Sequence, residues 1–199
     1  MKKTPRTAVI LQEQRVSVKN NKVALVSSLE EALKCLKKEI KEEGFKLLKQ
    51  RPLSAKEIED KLLAKGFLPH EVANLCQDFA NDGWINDKKF TQYFIESYQK
   101  SRPLGEYALK LKLKEKGVDS LIIEQCLSDY YENNSALQEA FDLVKKNFYK
   151  YEKFSKMDQI KKITAYLFNR GYQYPLIEDV LKELQDQNFI KEGDGFYDY

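Results

Sequence analysis

One short pattern occurs three times in this 199-residue chain, and its period limits the available folds more than any single residue does. It is an apolar residue, three residues, a second apolar residue, three residues, a glycine, then an apolar or aromatic residue. The copies are Ile58-Leu62-Gly66-Phe67, Leu109-Leu113-Gly117-Val118 and Ile163-Leu167-Gly171-Tyr172. Their glycines are 51 and 54 residues apart, room for two or three helices. Self-similarity at such a period marks stacked supersecondary units that cannot bury their apolar faces alone. A chain of this kind is expected to bind along its length rather than catalyse in a pocket.

A third segment in each copy extends the match. Counting from the glycine, position six is Val72, Ile123 or Ile177, and position nine is Leu75, Cys126 or Val180. Position ten is Cys76, Leu127 or Leu181, and position thirteen is Phe79, Tyr130 or Leu184. Steps of three and four trace one helical face. The spacing therefore predicts an all-α chain of three tandem three-helix repeats, over 28–85, 86–133 and 134–199. Ser54-Ala-Lys-Glu57 reads as a capping box, the serine accepting the Glu57 amide and the glutamate reaching back to the Ser54 amide. Ser155-Lys-Met-Asp158 stands in the same place in the third repeat, whereas the second helix of the second repeat follows Arg102-Pro103-Leu104-Gly105 with no serine. Asp87 is read as the N-cap of the helix carrying Phe90. Leu109 to Lys114 alternates like a strand, but the repeat frame and the helix-forming residues assign it to a helix.

Residues 1–27 differ. They carry six basic residues against Glu13 and are expected to form a mobile arm or a short hairpin, with Val16, Val18, Val23 and Leu25 flanking an Asn-rich turn. A first helix is expected from Ser28 toward Gln50, with Gly44 a possible interruption. Residues 192–199 form an acidic, aromatic tail.

The residue inventory argues against an enzyme. Three cysteines without a CxxC spacing give neither a disulfide framework nor a zinc site. Cys76 and Cys126 read as buried small hydrophobes. The single histidine, His70, is expected to be exposed and capping at a helix start. Glycine-rich phosphate loops, nucleophile elbows and metal-spaced clusters are missing, so no cofactor is expected. No signal-type or membrane-length apolar run occurs, which fits a reducing cytoplasm and no membrane partner; a monomer is expected.

Charge is sorted by helix. The third helices hold eleven acids against Lys182, which disfavours a major-groove recognition helix, because phosphates would repel it. The second helix of the second repeat is the candidate contact surface for a partner or a nucleic-acid backbone. With Leu109 and Leu113 inward, Tyr107, Lys110, Leu111 and Lys114 share an outer arc, and Arg102 and Lys116 flank it. The alternative is that Tyr107 and Leu111 pack against a neighbouring unit.

Taken together these residues resemble the RecX family of bacterial regulatory proteins over roughly residues 30–185. The resemblance rests on Arg51-Pro-Leu-Ser54-Ala-Lys-Glu57-Ile58, Leu62-Leu-Ala-Lys65-Gly66-Phe67 and Gly83-Trp-Ile85-Asn86-Asp87-Lys-Lys-Phe90-Thr-Gln-Tyr93, then on Gly105, Leu109, Leu113 and Lys116-Gly117-Val118. It implies an elongated, curved helical protein that lies in the groove of the RecA–DNA filament. There it would reduce ATP hydrolysis, strand exchange and RecA-assisted repressor cleavage. The motif residues, with Leu167 and Gly171, are implied to build repeats rather than to catalyse. Two other readings stay open: a non-specific nucleic-acid binder, and a scaffold for another protein.

Overall fold

The structure, a computed structural model, describes residues 22–190, with side chains from residue 31 onward. The described residues form helices α1 (Lys22–Leu48), α2 (Ala55–Ala64), α3 (Pro69–Asn81), α4 (Asp87–Ser101) and α5 (Glu106–Glu115). They continue with α6 (Ser120–Asn133), α7 (Ala136–Lys146), α8 (Lys156–Asn169) and α9 (Tyr174–Asp186), with a 3-10 turn at Phe148–Lys150. No strand occurs among them. They gather into two compact units, one of residues 22–90 with 116–118, the other of residues 91–115 with 119–190.

The repeated pattern is realised at every position. Ile58 and Leu62 on α2, Leu109 and Leu113 on α5, and Ile163 and Leu167 on α8 are wholly buried, and Phe67, Val118 and Tyr172 are nearly so. Gly66, Gly117 and Gly171 have φ of +91°, +77° and +85°, the left-handed region that ends a helix and disfavours a side chain. At two of these ends Phe67 N–H donates to Leu62 O (3.3 Å) and Tyr172 N–H to Leu167 O (3.2 Å). The third helices then bury Val72, Leu75 and Phe79 on α3, Ile123, Cys126 and Leu127 on α6, and Ile177, Val180 and Leu184 on α9. The alternating stretch in α5 is helical. Burying Leu109 and Leu113 on one face contributes about 1.5–3 kcal/mol each, more than the whole span of about 1 kcal/mol in strand propensity.

The start of a second helix meets the glycine turn of the following copy twice. In the first unit, Ser54 Oγ donates to Lys116 O (2.7 Å) and accepts from Glu57 N (3.1 Å). A Cβ on Gly117 would lie 2.8 Å from Lys56 Cβ. In the second unit, Gly105 N donates to Arg170 O (2.9 Å). A Cβ on Gly105 would lie 2.3 Å from the Gly171 carbonyl carbon, and one on Gly171 would lie 2.5 Å from Ala108 Cβ. The missing serine before α5 is thereby explained, since no side chain fits there. Gln99 does the capping work instead: Leu104 N donates to Gln99 Oε1 (2.9 Å), and Gln99 Nε2 donates to Leu104 O (3.1 Å).

The capping box at Ser54 holds in its serine half only. The Glu57 carboxylate accepts from Arg51 (3.0 and 3.2 Å) and from Lys116 Nζ (2.8 Å). Charge-assisted bonds are roughly twice as strong as neutral ones, so two cations outcompete the Ser54 amide. Burial opposes the charged form of Glu57, but the hydrogen bonds from Arg51 and Lys116 prevail and hold the carboxyl below its usual range.

Five local expectations are corrected. The chain is helical from Lys22, ahead of Ser28, so Val23 and Leu25 form no hairpin strand; the remainder of the arm or hairpin lies outside the described residues. Gly44 does not interrupt α1; a Cβ there would lie 2.7 Å from Phe79 Cε2, so glycine lets the Phe79 ring pack against the helix. Asn86, not Asp87, caps α4 through Lys89 N (2.9 Å), while Asp87 Oδ1 accepts from Ala55 N (3.0 Å) at the start of α2. His70 is exposed, but no side chain caps α3, whose start is set by Pro69. Cys126 is buried, whereas Cys76 is half-buried at the margin of the first unit's core.

Two stability measurements follow from these contacts. Gly66→Ala, strained but unobstructed, is expected to cost about 1–2 kcal/mol in urea denaturation. Gly117→Ala and Gly171→Ala add a collision and should each exceed that by about 1 kcal/mol or more; equal losses at all three would contradict the helix-to-glycine contact. Glu57 has a lowered folded-state pKa, so its contribution is present above the ordinary glutamate range and is lost as pH falls through the folded value. Glu57→Gln should therefore cost about 1–2 kcal/mol near pH 7. The gap should close as pH falls below about 4, and a gap unchanged down to pH 3 would refute the ion pairs' role.

Candidate partner-binding surface

Helix α5 has one buried and one open face. Its inner stripe, Leu109 and Leu113, is fully buried, while Tyr107 is 64% and Leu111 51% exposed. Lys114 is exposed and Lys110 half-buried. Residues 107, 111 and 110, 114 are two pairs spaced by four, so they fall side by side on the outer arc.

The electrostatics of this arc are local. Lys110 Nζ pairs with Glu106 Oε1 (2.8 Å), and that hydrogen bond raises its pKa, so the ammonium stays charged. Exposed pairs of this type contribute only about 0–1 kcal/mol and leave Lys110 free to exchange partners. Lys112 turns away, with Nζ 5.8 Å from the Tyr98 ring centre. Arg102 is exposed at the end of α4. Lys116 differs from the others in that its ammonium pairs with Glu57 (2.8 Å). A tyrosine and a leucine between lysines can desolvate against a partner while the ammonium groups meet carboxylates or phosphates.

The sequence reading did not anticipate a polar cluster in the second unit. Tyr130 Oη donates to Glu139 Oε1, and Gln99 Nε2 lies 2.9 Å from Glu139 Oε2 and 3.2 Å from Tyr131 Oη. Burial pushes the Glu139 carboxyl upward, partly offset by the Tyr130 hydrogen bond. Burial and then Glu139 push the Tyr130 phenol upward as well. This cluster ties α7 to α4 and α6 and borders a cleft of about 530 Å³. Its signal in the sequence was Tyr130, a hydroxyl-bearing ring at the position where the other copies carry Phe79 and Leu184.

Residues 86–127 match the family description "RecX, second three-helix domain". The regulatory protein RecX of Chlorobium phaeobacteroides is 31% identical over 141 residues, covering 71% of this chain and 90% of that protein. That of Streptococcus sanguinis is 32% identical over 137 residues, covering 69% of this chain and 51% of that protein, so the match spans about half its length. The crystal structure of RecX from Lactobacillus salivarius superposes with a TM-score of 0.66 over 75% of this chain and 96% of that one. At 23% identity it is a likeness of fold. The 31% identity across nine-tenths of the Chlorobium RecX protein decides the family: the chain belongs to the RecX regulatory proteins.

Proposed function

We propose that this chain is a non-enzymatic, cytoplasmic regulator that binds RecA and its DNA filament. The observation that carries the reading is the 31% identity over 90% of a regulatory protein RecX. By family similarity it acts as a monomer lying in the filament groove, where it inhibits ATP hydrolysis, strand exchange and RecA-assisted repressor cleavage. It thereby modulates recombination, DNA repair and the SOS response. The repeats 28–85, 86–133 and 134–199 are the units that would lie along the groove behind the basic residues 1–27. The open face of α5 supports this reading, because Tyr107 and Leu111 offer apolar area to a partner and Lys110 and Lys114 offer charge.

The test is the DNA-dependent ATPase rate of preformed RecA filaments titrated with the purified chain. Inhibition is expected well below one chain per RecA. Replacing Lys110 and Lys114 together by glutamate should shift the titration about tenfold to higher concentration while leaving the melting temperature nearly unchanged. An ATPase rate unaffected at equimolar chain would refute regulation of RecA. Undiminished inhibition by the double variant would move the contact off α5.

A further inference from the structure

A second surface, in the first unit and away from α5 in sequence, has the chemistry of a binding site. The end of α1, the Arg51–Leu53 turn and the Gly83–Asn86 turn border a cleft of about 940 Å³. Phe45, Pro52 and Trp84 form its apolar wall, and Lys49, Arg51 and Lys89 its cationic rim. No carboxylate lines it, in a chain whose 34 basic and 31 acidic side chains nearly balance. Arg51 is committed to Glu57. Lys49 and Lys89 have no ion-pair partner among the described residues, so two positive charges face the cleft uncompensated.

Trp84 is the only tryptophan of the chain and is 56% exposed. Leaving so large a ring in water forgoes apolar burial, yet its position is tightly set. Gly83, at φ +74°, turns the chain after α3, and the Trp84 and Ile85 amides both donate to Phe79 O (2.8 and 3.1 Å). The next side chain, Ile85, is buried at 7% exposure. The indole meets the Phe45 ring edge to face at 5.1 Å, and Phe45 in turn packs on the fully buried Phe79 at 4.8 Å. An exposed aromatic ring anchored on the core is preorganised, so little side-chain freedom is lost when something stacks on it.

We propose that this cleft binds an unpaired nucleobase of a single-stranded nucleic acid, stacked on Trp84, with Lys49 and Lys89 on the flanking phosphates. The exposed indole takes any base by its π-face, and the uncompensated lysines favour a polyanion. An acidic, aromatic peptide would meet the same charges, but an exposed indole and two lysines lining one cleft suit the base and phosphates of a strand.

Because Trp84 is the sole tryptophan, its fluorescence reports on the site directly. The full chain is titrated with an oligothymidylate of about a dozen nucleotides, without RecA, so the result is independent of the function proposed above. Saturable quenching is expected. Lys49→Gln and Lys89→Gln should each lower the log–log salt slope by about one. Followed by anisotropy of labelled oligonucleotide, Trp84→Ala should weaken binding about 5- to 150-fold, whereas Trp84→Phe should retain most of it. The lysine variants and the wild-type signal keep the test decisive should Trp84→Ala fail to fold. The proposal is overturned by absence of binding, by binding that leaves the indole signal unchanged, or by equal affinity in a folded Trp84→Ala. Quenching by a peptide of residues 192–199 but not by the oligonucleotide would overturn it in favour of a peptide dock.

Discussion

The repeat architecture depends on one contact, in which the start of a second helix sits on the glycine turn of the next copy. A helix start exposes amide donors and a helix end exposes carbonyl acceptors, and the two partial charges attract. Here the Ser54 hydroxyl reaches Lys116 O just beyond α5, and the Gly105 amide reaches Arg170 O just beyond α8. Backbones can approach that closely only where side chains are missing, so a glycine is needed on at least one side. Gly117 and Gly171 therefore serve two purposes, the left-handed turn and the close approach, whereas Gly66 serves the first alone.

The two versions of this contact are stabilised by different chemistry. Around Ser54, a carboxylate is ringed by cations, and the Glu57 pKa falls despite burial. Around Gly105 the cap is a glutamine, and Gln99 leads to Glu139 and the two tyrosines, where burial raises the Glu139 pKa and the Tyr130 hydrogen bond only partly offsets it. The same residue type thus moves in opposite directions because its neighbours differ in charge. Glu57 and Lys116 are paired with each other in the first version of the contact.

What remains outside these contacts is where binding can occur. The alternation of leucine and lysine through α5 buries Leu109 and Leu113 and necessarily leaves Leu111 on the outside beside Tyr107. A residue that looks redundant in a strand pattern becomes an exposed apolar group once the segment is a helix. The Trp84 wall arises in the same manner: Ile85 takes the core position after the glycine turn, and its neighbour is sent outward.

The register of apolar residues was legible in the sequence because burial in a helix repeats at 3.6 residues whatever surrounds it. That register determined the all-helical class, the buried stripes on α2, α5 and α8, and the glycines that end those helices. Local hydrogen bonding was legible only in part, since Ser54 caps α2 as its sequence indicates but Glu57 turns to Arg51 and Lys116, and the latter lies 59 residues away. Only the tertiary structure decided why Gly105 replaces a serine, why α1 runs through Gly44, and which unit claims Lys116. In each case the deciding neighbour is distant in the chain, and steric fit and charge pairing between distant segments leave no periodic trace in a sequence.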